Sequence, residues 1–326
     1  MDPASSAPLP HQRDVTDATS LVVEGFHSIP EDQRSRVSSF LTTVQRYDAV
    51  APLSDQAVAD FKRHVPAGFS ALLFHLASNP DELSAYAQLA SSGPNGVVEF
   101  ALHPALRESH DLLAFVLHAA IREARSKALR SITLWVTERY QHLDNAITSM
   151  GFELERSVHQ LGLSLPLDPS FKEKIAQLTT RPFKPGVDEA SWLELNSRAF
   201  RGHPEQGTWT VADIKAREKM PWFDPDGFLL AENNGVLMGA CWMKIHHEMD
   251  PVTGEIYVIS VDPSYHHHGI GKALTISGLS WLEKHRISKA MLYVDANNEA
   301  ALSLYRSIGF KDIASRSAYK LSDLQH

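Results

Sequence analysis

The stretch Glu255-Ile-Tyr-Val-Ile-Ser-Val-Asp-Pro-Ser-Tyr-His-His-His-Gly-Ile-Gly-Lys272 sets two glycines between a β-branched run and a helical pattern, and its chemistry is anion binding. Glu255 to Val261 predicts a strand, ended at Asp262-Pro263 because proline cannot continue a ladder. Leu274, Trp281 and Leu282 recur at helical spacing and predict a helix over 272–284. Gly269 and Gly271 let the backbone approach a bulky anion. The free N–H groups of the turn then sit at a helix N-terminus, where the dipole favours negative charge. A phosphorylated cofactor is the expected ligand. The turn lacks the Gly-Lys-Ser/Thr ending of a Walker loop. It also lacks the third glycine of the dinucleotide fingerprint, and Glu283 falls on the following helix.

A second group of residues follows at once. Ala290-Met-Leu-Tyr-Val294 predicts a short strand, Glu299 to Ser307 a helix, and Gly309 a left-handed helix stop before Phe310. Loop and helix together resemble the GNAT superfamily of N-acetyltransferases. Its acyl-CoA loop reads Gln or Arg, two residues, Gly, any residue, then Gly or Ala; His266 stands at the Gln/Arg position. The resemblance implies acetyl-CoA as co-substrate. It places cofactor contacts on Ile259, Ser260 and Val261, on His266, His267, His268, Gly269, Ile270, Gly271 and Lys272, and on Asn298, Glu299, Ala300, Ala301, Leu302 and Ser303. It also presents Tyr305 toward the departing thiol, as the acid.

Acylation of an amine requires the amine to be neutral and the leaving thiolate to be stabilised or protonated. Alternation puts Glu255, Tyr257, Ile259 and Val261 on one face of the strand, and Glu255 is the candidate base. A solvated carboxylate at the strand entry after Thr253-Gly254 is the alternative for that residue. A backbone N–H near Ile259 to Val261 would polarise the thioester carbonyl, as the resemblance implies.

The 326 residues, 43% of them apolar, suffice for two domains with cores of their own. Lys plus Arg at 31 against Asp plus Glu at 39 leaves −8, which gives nucleic acid or an anionic membrane no electrostatic footing. A single cysteine, Cys241, excludes an intramolecular disulfide, and it reads as a buried small hydrophobe in a strand-like segment. No apolar run has the length of a membrane span or a secretory leader, so a cytoplasmic protein is expected. His266-His267-His268 and His246-His247 are consecutive, point in different directions, and predict no metal site. His266 is expected to offer an N–H to phosphate.

The chain carries a degenerate internal repeat. Val97 to Pro104 echoes Ile256 to Pro263, and Met150-Gly-Phe152 echoes Ile308-Gly-Phe310. The expected fold is α/β, with mixed α+β sheets, in two tandem copies of one acyltransferase unit. The expected boundaries are a disordered lead over 1–15, a degenerate N-terminal domain over 16–166, a linker over 167–185 and a catalytic domain over 186–326. The positions matching Gly269 and Gly271 are His110 and Leu112, and the position matching Tyr305 is Ile147. Ser109 or Asp111 can cap the first copy's helix, while Glu108 and Asp111 would repel a pyrophosphate. The first copy should therefore hold no catalytic acetyl-CoA and serve as a wall of the substrate cleft.

His203-Pro-Glu-Gln-Gly207, Trp222-Phe-Asp-Pro-Asp-Gly227, Trp242-x-Lys244 and Gly254-Glu-x-Tyr-Val258 resemble the mycothiol-synthase family of tandem GNAT proteins. That resemblance implies acetyl transfer to the cysteinyl amine of cysteinyl-glucosaminyl-inositol, giving mycothiol and CoA. It places substrate contacts on Glu205, Lys244, Glu255 and Tyr293, and on Asp55 in the first copy. Carboxylates suit an ammonium group, and mixed donors and acceptors suit sugar hydroxyls. Acetylation of another small amine or amino sugar, and an acyl-CoA-binding regulatory module without turnover, are the other readings. A monomer is expected, since tandem copies can pack as a built-in pair.

Overall fold

The computed structural model describes residues 20–48, 50–62, 68–173, 178–201, 209–247 and 249–324. They divide into two compact units, one of residues 1–157 with 314–326 and the other of residues 158–313.

The first unit opens with β1 (Leu21–Phe26), α1 (Glu31–Asp48) and α2 (Asp55–Lys62). Helix α1 has Glu31 and Asp32 in its first turn and Arg46 in its last, which complements the helix dipole. It buries Val37, Phe40 and Val44, three and four residues apart. An antiparallel meander follows: β2 (Ser70–Leu76), β3 (Asn79–Ser92) and β4 (Asn95–Leu102). Helix α3 (His110–Ser126) then crosses to β5 (Ser131–Thr137), which lies parallel to β4. The short α4 (Asp144–Ser149) leads into β6 (Glu153–Ser164), whose residues from Val158 onward belong to the second unit. Leu112, Val116 and Leu117 of α3 fill one core of the first unit, and α1 and α2 cover the other face, where Phe40 and Phe61 join Tyr86 of β3.

In the second unit come α5 (Pro169–Glu173), β7 (Thr180–Pro182), α6 (Glu189–Ala199) and α7 (Val211–Glu218). Next are β8 (Phe228–Asn233), β9 (Val236–His246), β10 (Thr253–Val261), α8 (Ile270–Lys284), β11 (Lys289–Asp295), α9 (Glu299–Ile308) and β12 (Lys311–Leu321). Strands β8, β9 and β10 run antiparallel, and β11 lies parallel to β10. The stretch 167–185, expected as a linker, instead contains a strand. Thr180–Pro182 pairs with β8, and Phe183 is buried with its ring stacked on Phe228 at 4.4 Å. The apolar Phe183 has to be covered, and pairing at the sheet edge, where Pro182 is tolerated, achieves this. The expected disordered lead lies outside the described residues.

The two units share one strand order, but their last strands are exchanged. β6 pairs antiparallel with β11 of the second unit, whereas β12 pairs antiparallel with β5 of the first. Residues 314–326, expected in the second domain, thus complete the first. Ala318, Tyr319 and Leu324 are buried there, and the latter two join the α3 core. Truncation after Ile313 removes this strand and its buried side chains, a loss of about 5 kcal/mol at roughly 1.5–3 kcal/mol per large apolar group. The truncated chain should show a clearly lowered melting temperature, and its first proteolytic cuts should fall within residues 20–157.

Candidate active site

Helix α8 begins at Gly269, whose φ of 78° is a left-handed conformation that glycine adopts without strain. Its first intrahelical bond runs from Ala273 N–H to the Gly269 carbonyl at 3.0 Å, so the amides of Ile270, Gly271 and Lys272 precede the ladder. No side chain caps this end and no acidic residue lies in its first turn. Helix α3, at the matching place in the first unit, is closed: Ser109 Oγ accepts from Leu112 N–H at 3.2 Å, and Asp111 lies in the first turn. Ile147, in place of Tyr305, is buried as a core residue.

Around the α8 turn, His266 Nε2 lies 3.2 Å from the Val261 carbonyl and His268 Nδ1 lies 2.8 Å from the His266 carbonyl. His267 itself has a positive φ of 64°. Lys272 Nζ donates to Ser307 Oγ at 3.0 Å, which ties the turn to α9. Asp262, ahead of the loop, accepts from Ser264 N–H at 2.9 Å and from Arg198 Nε at 2.8 Å. Burial opposes its ionisation, but those donors outweigh it and hold the carboxyl below its usual range. Ser260 Oγ is buried without a hydrogen-bond partner. An uncapped helix start with no acidic residue in its first turn is a fit for an anionic ligand.

Strand β10 does not keep simple alternation. Its register against β9 shifts between Ile256 and Val258, a β-bulge at Tyr257. Glu255 pairs with Lys244, and Tyr257 packs with Trp242 on the α6 and α7 face. Ile259 and Val261 pack instead on the α8 and α9 face with Leu274. The expectation of one shared face for Glu255, Tyr257, Ile259 and Val261 is therefore corrected, because the extra residue reverses the alternation beyond it. The parallel ladder of β10 and β11 also stops at Ile256 opposite Leu292, although the strands continue to Val261 and Asp295. Beyond that point the facing backbone groups are open between the two faces of the sheet.

On the α6 and α7 face, Glu255 is buried, and its Oε2 lies 2.7 Å from His246 Nε2 and 3.9 Å from Lys244 Nζ. It is not a solvated strand-entry carboxylate. Lys244 Nζ also stands 5.3 Å from the Trp222 ring and 5.7 Å from that of Tyr257. Arg217 of α7 donates from Nε to the Tyr257 hydroxyl at 2.9 Å and lies 3.8 Å over Trp209. Tyr293 of β11 is half exposed at 49%; it lies two residues beyond Met291, the partner of Glu255, and so on the same face. Glu205 lies outside the described residues, as does the side chain of Asp55, which opens α2.

On the opposite face, α9 is capped by Asn298, whose Oδ1 accepts from Ala301 N–H at 3.1 Å, and stops at Gly309 with φ 109°. Leu302, Tyr305 and Ile308 point into the core, while Asn298, Glu299, Ala300 and Ser303 are exposed and Ala301 is half-buried. The Tyr305 ring packs edge-on to Phe310 at 5.8 Å. Burial, and after it the neighbouring Cys241, push the Tyr305 phenol well above its usual pKa. Burial likewise pushes the Cys241 thiol up to about 12. Glu255 and Tyr305 are thus on opposite faces of one sheet, on either side of the opening between β10 and β11.

His246 is the residue that sequence reasoning passed over, since it was weighed only as half of a metal pair. Alternation along Trp242-Met-Lys-Ile-His246 carried the signal, because it puts Trp242, Lys244 and His246 on one strand face. Among the described residues no group of His, Cys, Asp and Glu is arranged to hold a metal ion. No helix among them is long and apolar enough to cross a membrane.

The Acetyltransferase (GNAT) family model matches residues 190–310. A mycothiol acetyltransferase from Thermobispora bispora is 37% identical over 287 residues, 86% of this chain and 93% of the relative. One from Streptomyces coelicolor is 36% identical, over 88% of this chain and 91% of its own length. Two solved structures share the fold. A GCN5-related N-acetyltransferase from Sphaerobacter thermophilus has a TM-score of 0.73 at 17% identity, covering 93% of this chain and 96% of its own. A tandem GNAT protein from the clavulanic acid biosynthesis pathway has a TM-score of 0.67 at 15% identity, covering 93% and 98%.

Two outcomes follow from this geometry. Gly271→Glu sets a carboxylate at the open amides of α8, and calorimetry should show CoA binding weakened about tenfold or more, at the scale of one lost charge-assisted contact. At pH 8 a thiol with its pKa near 12 is about 10⁻⁴ ionised. Cys241 should therefore resist a thiol reagent in the native protein and react fully once the chain is unfolded.

Proposed function

The chain belongs to the mycothiol acetyltransferase family of GNAT proteins, and from that premise we propose that it transfers the acetyl group of acetyl-CoA to the cysteinyl amine of cysteinyl-glucosaminyl-inositol. The products are mycothiol and CoA. The observation that carries this reading is the opening between β10 and β11, with a buried carboxylate on one face and a protonated phenol on the other.

Acetyl-CoA supplies an acetyl group activated as a thioester. The amides of Ile270, Gly271 and Lys272 would hold its pyrophosphate, and Asn298, Glu299, Ala300 and Ser303 are exposed along the start of α9, where they can meet the pantetheine arm. Amides of β10 past the bulge are the donors for the thioester carbonyl. Glu255 takes one proton from the acceptor's ammonium, which frees the nitrogen lone pair to bond to the acetyl carbon. The carbon–sulfur bond breaks, and Tyr305 gives its proton to the departing sulfur. The second amine proton leaves as the amide forms and restores the phenol. The Tyr305 phenol carries its proton at neutral pH, the form that can donate to the departing sulfur. Lys244 and Tyr293, beside Glu255, are placed to bond hydroxyls of the glucosaminyl-inositol part.

The test is steady-state transfer from acetyl-CoA to cysteinyl-glucosaminyl-inositol, followed by thiol release. The parent should turn over. Glu255→Gln and Tyr305→Phe should each lower kcat by about 10²-fold or more, the range of a lost general base or acid. Turnover with other small amines but none with this acceptor would overturn the substrate assignment.

A further inference from the structure

His246 is fully buried, with no side-chain exposure, at the end of β9, opposite Thr253 and diagonal to Glu255. Burial of an imidazole is unfavourable without a polar partner. Its partner here is Glu255 Oε2, which accepts from Nε2–H at 2.7 Å. Lys244 Nζ reaches the same oxygen from 3.9 Å, an ion-pair distance too long for a hydrogen bond. Among the described residues both of these contacts fall on Oε2, and Oε1 is the oxygen that can face an acceptor.

A glutamate carboxylate turns easily about its last torsion, which is broad and two-fold. A donor fixed to one oxygen sets the plane of the group and with it the direction of the other oxygen. His246 is well suited to this, because a buried strand residue paired across the ladder has little freedom to move.

We infer that His246 is a positioning residue: its Nε2–H anchors Glu255 Oε2 so that Oε1 is aimed at the ammonium of the acceptor. The inference rests on the reading of Glu255 as the base. It is distinct from the metal-ligand role that paired histidines suggest in a sequence, and it does not place His246 in contact with the reacting atoms.

The experiment is a double-mutant cycle on the full chain, with kcat and both KM values measured. His246→Leu should lower kcat by roughly 10- to 10²-fold while the KM for acetyl-CoA stays within about twofold, since the cofactor turn is untouched. His246→Gln, whose amide nitrogen can take the place of Nε2, should recover most of the loss. In a Glu255→Gln background, His246→Leu should cost nothing further, because the residue acts only through Glu255. An equal loss in both backgrounds would overturn the positioning role in favour of a structural one. Full activity of His246→Leu beside a crippled Glu255→Gln would sink it while leaving the base in place. Full activity of Glu255→Gln would remove the base reading and this inference together. Should His246→Leu fail to fold, His246→Gln and His246→Asn decide: an active Gln variant and an impaired Asn variant support the anchor, because Asn is too short to reach Oε2, and equal activities refute it.

Discussion

One extra residue in β10 governs the second unit. The bulge at Tyr257 lets Glu255 and Tyr257 share a face with the tryptophans of α6 and β9, and sends Ile259 and Val261 to the core under α8. Bulges bend a strand and raise its twist, and the ladder to β11 ends at that place. Without the bulge, β10 would keep its hydrogen bonds to both neighbours, and a regular sheet would separate the carboxylate from the phenol. With it, the backbone of β10 beyond Ile256 is left without a ladder to β11.

The polar constellation at this opening is held against a desolvation cost. Lys244, His246 and Glu255 are all buried, and a buried charge stays ionised only when it is paired and hydrogen-bonded. The pairing is asymmetric, since the firm hydrogen bond comes from His246 and Lys244 stands farther off among aromatic rings. A buried glutamate of the first unit shows the contrast. Glu99 accepts from both the N–H and the hydroxyl of Ser54 and pairs with Arg316 at 3.5 Å, so both of its oxygens are engaged in securing the start of α2. Such a carboxylate staples structure. The one on β10 has its contacts among the described residues on Oε2 alone.

The two copies differ in the same way at their helix starts. A helix N-terminus must satisfy its first amides with a side chain, water or a ligand. In α3 a serine does so, and an aspartate adds negative charge. In α8 a left-handed glycine turns the chain without offering any side chain. The repeat has thus kept the architecture twice and left one helix start uncapped by a side chain.

Composition, the two glycines, the helix stop at Gly309 and the echo between Val97–Pro104 and Ile256–Pro263 were enough to read an α/β repeat with one uncapped helix start and one capped by a side chain. Those features are local: they depend on backbone freedom, capping and periodicity over a few residues. The identity of Glu255 and Tyr305 as chemical groups was legible for the same reason. Their placement on opposite faces was not, because the face of the sheet that α9 covers is decided by how the helix packs in the folded unit. Nor was the anchor on Glu255, since His246 meets it only across a ladder whose register is set by the turn between the strands. The exchange of β6 and β12 was equally hidden. The apolar residues of either strand state which side is buried but say nothing of which strand lies alongside. That choice belongs to the folded chain, where Leu161 of β6 fills the core beside β11 and Tyr319 of β12 fills the core beside β5.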